Sequence, residues 1–191
     1  MASLKADFDE VIRRIEAGRE FSHASYEPIF YLVFHPSELL EVKRLMPAWT
    51  SKLTNAGWQV ETFSIAEHIA DIFATAPLRK VWIDADRKAP LAWQRTNASL
   101  TNALTTQGRL QARLEDRLAA LEGKASTIML VTELEALHPY MRIGAIEAHL
   151  QGKFHVPTVF LYPGTRTGKT RLRFLGFYPE DGNYRSVHVG G

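Results

Sequence analysis

Four short runs rich in apolar, β-branched and aromatic residues constrain this chain most: Ile29–Phe34, Trp58–Phe63, Thr127–Val131 and Thr158–Tyr162. Runs of this length suit strands, and those with no polar face suit strands buried on both sides. The segments between them have the period of amphipathic helices. Leu39, Leu40, Val42, Leu45, Trp49 and Leu53 follow the first run, with Ser37 placed to cap them and Pro47 either kinking the helix or starting a second segment. Ile65, Ile69, Ile72 and Phe73 follow the second run. Pro139 is placed to open a helix that carries Ile143, Ile146 and Leu150 after the third, and Gly152 closes it. Strands alternating with helices predict an α/β fold: three layers, a mostly parallel sheet, crossover helices, Rossmann-like in its general plan.

The remaining segments fit around that frame. Leu4, Phe8, Val11, Ile12 and Ile15 recur at helical steps, so residues near 3–17 read as a helix capped by Gly18. A leucine stripe, Leu100, Leu104, Leu110, Leu114, Leu118 and Leu121, reads as one long helix or two consecutive ones, with the spacing broken near Gly108. Residues 77–95 resist assignment: Val81, Trp82 and Ile83 fit a short strand or one helical turn. Asp84 and Asp86 there read as a solvated pair beside Arg87 and Lys88 rather than as metal ligands, because no Gly-centred loop or further acidic residue accompanies them. No tract divides the chain, so 1–191 is expected to be a single domain.

Composition excludes several function classes. The 191 residues contain no cysteine, which rules out disulfides, thiolate zinc sites and thiol nucleophiles. No apolar run reaches the ~18 residues of a membrane span, and the N-terminus lacks a signal peptide's apolar centre, so a cytoplasmic protein is expected. A net charge of +2 is too small to imply nucleic acid by itself.

The stretch Pro157–Arg185 carries the densest signals. After Thr158–Tyr162, Pro163 and Gly164 are expected to stop the strand and Thr165–Gly168 to form a turn. Arg171–Phe177 then alternates as a second strand, and Tyr184–Val189 reads as a third. The expectation is an antiparallel hairpin with a closing strand at the sheet's edge. Gly164, Gly168, Lys169 and Thr170 imitate a phosphate-binding loop, but only Thr165, Arg166 and Thr167 separate the first Gly from the Gly-Lys pair. That motif needs four intervening residues and a following helix; here a strand follows.

Ligand sites of open α/β sheets gather beyond the carboxyl ends of the strands. Those ends offer His35 with Ser37, Thr132 with Glu133 and Glu135, and Tyr162 with Arg166; His138 and Arg142 begin the next helix. His35, Glu133, Arg142 and Tyr162 could in principle perform acid–base work. There is no nucleophile elbow and no His pair at metal spacing, since His149 and His155 stand six apart across a helix end, so no catalytic set, metal or cofactor is expected. Arg166, Lys169, Arg171 and Arg173, joined by Arg185 and interleaved with Tyr162, Phe174, Phe177, Tyr178 and Tyr184, could follow phosphates and stack bases. The same pattern fits an edge strand with a buried aromatic face and solvated cations that deter aggregation.

These motifs together resemble the BrxB family. The resemblance rests on Pro28–Pro36, on Thr132 through Pro139 to Arg142, and above all on Phe160, Tyr162, Pro163, Gly164, Gly168, Leu172, Asn183, Tyr184 and Arg185. It implies a small component, without established catalysis, of the BREX bacteriophage-exclusion systems, working beside a PglZ-like phosphatase, a large ATPase and an adenine-specific DNA methyltransferase. One departure is informative: where relatives often carry a Gly-x-Gly turn after the third strand, Glu133, Leu134 and Glu135 stand here. Two carboxylates at that turn repel phosphate by roughly 1 kcal/mol or more each. The expected function is therefore an adaptor for the other BREX proteins. Tyr162, Arg166, Lys169, Arg171, Arg173, Asn183, Tyr184 and Arg185 are its binding candidates, and weak DNA contact through the same hairpin is the alternative.

Overall fold

The computed structural model describes residues 3–18, 27–168, 171–182 and 186–191. Its elements follow the apolar runs closely. Helix α1 (Leu4–Gly18) precedes strand β1 (Ile29–Phe34), and helix α2 (Leu39–Asn55) leads to strand β2 (Gln59–Ser64). Four helices follow: α3 (Ile65–Ala74), α4 (Arg79–Lys88), α5 (Trp93–Thr105) and α6 (Arg109–Leu121). Strand β3 (Thr127–Thr132), a 3-10 turn (Leu134–Leu137), helix α7 (Ile143–His149) and strands β4 (Thr158–Thr167), β5 (Arg171–Phe174) and β6 (Val187–Gly190) complete the described chain.

The main sheet has the order β2-β3-β4-β1-β6, with β5 attached to β4 alone. Every neighbouring pair on the main path is parallel. This order is not the 3-2-1-4-5-6 of dinucleotide-binding domains. All six residues of β1 and of β3 are buried, because helices cover both faces. Phe30, Leu32 and Phe34 pack on α1 and α2 with Phe8, Trp49 and Leu53. Ile29, Tyr31 and Val33 pack on the opposite face with the α3, α6 and α7 side chains Ile69, Leu114 and Ile146. Burying each such side chain contributes about 1.5–3 kcal/mol, so the alternation along β1 ties the two helical layers to one strand.

The structure decides two readings left open: residues 81–83 lie inside helix α4, the helical alternative, and the leucine stripe is two helices, separated at Gly108 with its left-handed φ of 58°. Other expectations need correction. Pro47 lies within α2 and ends nothing. Pro139 does not open α7; it stands in the turn before it, where Tyr140 and Met141 both donate to the Leu137 carbonyl, and the helix starts at Ile143. Pro163 and Gly164 do not stop β4. The first half of that strand pairs with β1 as far as Pro163, and its second half pairs antiparallel with β5. Proline is tolerated at the changeover because its carbonyl accepts from Leu175 N–H at 2.9 Å while its missing N–H is not called upon.

The second strand of the C-terminal region ends at Phe174, where Leu175 and Gly176 turn with positive φ. The last strand does not close the hairpin. It crosses to the far side of β1 and pairs there in parallel, Tyr31 opposite His188.

Candidate functional site

A cavity of about 410 Å³ opens at the carboxyl ends of β1–β4 beneath α2. Phe34, Leu39, Val42, Met46 and Leu161 give it apolar walls, while Lys43, Ser64, Glu67, Thr132, Glu133 and Glu135 supply its polar groups. Ser64 ends β2 and caps α3: its hydroxyl accepts from the Glu67 backbone N–H at 3.0 Å and donates to Glu133 Oε2 at 2.5 Å. Glu133 follows β3 directly, with φ 59° and ψ 41°, the left-handed conformation that favours glycine. From α2, Lys43 Nζ reaches Glu133 Oε1 and Glu135 Oε1, both at 3.1 Å.

The charges answer one another. The Ser64 hydroxyl, and after it the Lys43 ammonium, hold the Glu133 carboxyl below its usual range against the opposing effect of burial. Burial works against Lys43 as well, yet its hydrogen bonds to Glu135 and Glu133 keep it above the ordinary lysine range. A lysine held by two carboxylates is a poor base, and the Glu133 carboxylate, held by Ser64 and Lys43, is a poor proton acceptor.

The other rim candidates serve local structure. His35 caps the 3-10 turn Pro36–Glu38, with Nδ1 accepting from Ser37 N–H at 3.2 Å, while the Glu38 carboxylate accepts from His35 N–H at 3.0 Å. Arg142 donates to the Pro179 carbonyl at 3.4 Å and lies 3.8 Å from Asp181. Tyr162 is buried, its ring 5.6 Å from Phe174 and 5.7 Å from Tyr31. Arg166 donates to the His188 carbonyl at 3.0 Å, tying β4 to β6. Arg171 and Arg173 share Glu180 at 3.7 and 3.4 Å. Lys169, Asn183, Tyr184 and Arg185 lie outside the described residues. The structure therefore gathers Glu133, Glu135 and Thr132 into one cleft and leaves His35, Arg142 and the hairpin arginines in separate contacts. Among the described residues, no group of His, Asp and Glu side chains could hold a metal ion.

Sequence reasoning missed two participants. Lys43 lies ninety positions from Glu133, so no local pattern announces their contact. Glu147 is the other: it is buried on α7, and its carboxylate accepts from the Tyr31 hydroxyl. Burial pushes its pKa up to about 7, the Tyr31 hydrogen bond opposes this, and Glu27 and Asp181 add to the rise. The signal was present, because Glu147 sits on the same helical face as Ile143 and Ile146.

No helix among the described residues is long and apolar enough to cross a membrane. Comparison with curated proteins and with solved structures finds no match. A family model, BREX protein BrxB, matches residues 62–189, which include the end of β2, all of β3 and β4, the Ser64–Glu133 contact and the C-terminal region as far as β6. The segment Pro28–Pro36, part of the sequence resemblance, precedes the matched residues. With two thirds of its length matched in this way, the chain belongs to the family of BREX protein BrxB.

Proposed function

We propose that this chain is a non-catalytic component of a BREX-type phage-exclusion system that works in the cytoplasm as an adaptor for the system's other proteins. The observation that carries the reading is the internally paired strand-end cleft, where Lys43 bridges Glu133 and Glu135. At the position that would serve a ligand in an α/β enzyme, the charged groups of the cavity wall are engaged with one another. Family membership supplies the context, with the PglZ-like phosphatase, the large ATPase and the methyltransferase as the partners to try first. Docking through the C-terminal hairpin is supported by Phe177, which is 64% exposed and lies against Tyr178 and His138 at ring distances of 4.9 and 5.4 Å. Exposed aromatic surface of this kind suits protein contact.

The DNA-contact alternative has less support, since Arg171 and Arg173 share a carboxylate and Arg166 is spent on a backbone carbonyl. The test is pairwise co-expression of the tagged chain with each other protein of its BREX system. Stoichiometric recovery of at least one is expected. Recovery of none, together with thermal stabilisation by a nucleotide and a divalent metal, would replace the adaptor with an enzyme.

A further inference from the structure

The hairpin formed by α4 and α5 contributes only Leu104 to the two cores, yet it concentrates exposed apolar surface. Leu78, Val81, Leu91 and Trp93 are 57%, 60%, 90% and 55% exposed. Trp82 anchors the hairpin, nearly buried and 6.2 Å from the Phe73 ring of α3, so the exposed side chains stand on a fixed support. Between the helices lies a groove of about 570 Å³, lined by Val81, Ala85, Ala89 and Ala92 with Lys88 and Arg95. Residues 78–96 carry five cations, Arg79, Lys80, Arg87, Lys88 and Arg95, against Asp84 and Asp86. None of the five forms an ion pair with a described residue, whereas many cations elsewhere do, as Lys52 does with Asp9 and Arg117 with Glu61.

We propose that this groove is the docking site for an acidic, amphipathic segment of a partner protein. The segment's apolar side chains cover Val81 in the groove and, outside its lining, Leu91 and Trp93, the chain neighbours of Ala92; its carboxylates meet Lys88, Arg95 and the neighbouring cations. The alanine floor lets a backbone approach closely, and an exposed Trp93 with Arg95 two positions on is the composition that anchors protein interfaces. The surplus of positive charge selects an acidic segment and speeds its encounter. Duplex nucleic acid gains nothing from Leu78, Val81 and Leu91, and a flat bilayer cannot enter a concave groove that also contains Asp84. The proposal goes beyond the adaptor reading by naming a second surface and the chemistry of what binds it; it rests on that reading for its partner.

The test places the photocrosslinker p-benzoylphenylalanine at position 91 of the full chain, co-expressed with the other proteins of its BREX system, and maps the adduct by mass spectrometry. The expected adduct is a segment with net negative charge and apolar residues at three- and four-residue spacing. Leu91→Ser with Trp93→Ser, and separately Lys88→Glu with Arg95→Glu, should each weaken the complex about tenfold or more. The charge variant should also flatten the salt dependence of association. All four positions are surface ones, so an unchanged melting temperature shows that the fold is kept. A partner that binds both double variants as tightly as the wild type overturns the proposal and leaves the adaptor reading standing. An adduct to a second copy of this chain, or hairpin-dependent binding to phosphatidylglycerol vesicles or to a short DNA duplex, also overturns it. Recovery of no BREX protein by the unsubstituted chain overturns both.

Discussion

Glu133 holds a backbone conformation that costs a residue with a Cβ about 1 kcal/mol, and it does so where its carboxylate meets Ser64 and Lys43. Its backbone strain and its side-chain bonds can be separated by substitution. Glu133→Ala loses the bonds and keeps the strain; Glu133→Gly loses the bonds and relieves it. The glycine variant should therefore be more stable than the alanine variant by about 1 kcal/mol in urea unfolding, and equal stability would refute the left-handed assignment. Glu147 gives a prediction in pH. Its folded-state carboxyl, pushed up to about 7, binds a proton more tightly than the unfolded chain does, so wild-type stability falls as pH rises from about 4.5 to about 7. Glu147→Gln has no proton to lose. Measured at pH 5 and at pH 8, its stability relative to wild type should improve at the higher pH by on the order of 2–3 kcal/mol. Parallel pH profiles would show that this carboxyl is not buried against Tyr31. His188 works in the opposite sense: burial, then Arg166, lowers it to about 4, so its contribution is lost as pH falls below about 6.5.

At the scale of elements, the legible parts were those whose pattern and environment agree. β1, β3 and the apolar first half of β4 could be read because a strand covered on both faces has no polar positions to confuse the period. α4 could not be read: only Trp82 is buried on it, so no apolar stripe exists to show the helical period. The second half of β4 was hidden by Pro163 and Gly164, ordinary stop signals that pairing with β5 overrides. Gly164 is required there, since a Cβ would lie 2.4 Å from the Arg173 carbonyl oxygen and 2.6 Å from the Tyr162 ring. Gly164→Ala should destabilise by roughly 1–3 kcal/mol in denaturant unfolding, and a neutral effect would mean the two strands do not approach so closely. Pro47 interrupts the α2 backbone ladder on an exposed face of the helix, where its absent N–H would have met the Lys43 carbonyl. Pro47→Ala should raise the melting temperature, by a gain of about 1–3 kcal/mol, unless the break is needed to aim Lys43.

On the scale of the whole molecule, the sequence was enough for the α/β class and for the family resemblance, because both rest on local runs and short motifs. It was not enough for the placement of β6, which pairs with a strand more than 150 positions earlier. The cleft shows the same limit: Glu133 and Glu135 were visible at a strand end, but the lysine that bridges them comes from another element, and only the fold brings it there. What emerges is a sheet with an internally ion-paired strand-end cleft on one rim and a cationic helical hairpin with exposed apolar side chains elsewhere, within a family tied to phage exclusion. The account's centre is that this protein acts by binding other proteins rather than by chemistry of its own. Sedimentation velocity of the purified chain mixed in turn with each purified protein of its BREX system tests that most directly. A new, faster boundary of defined stoichiometry at micromolar concentration with at least one of them is the predicted result; boundaries that merely superpose in every mixture would contradict it.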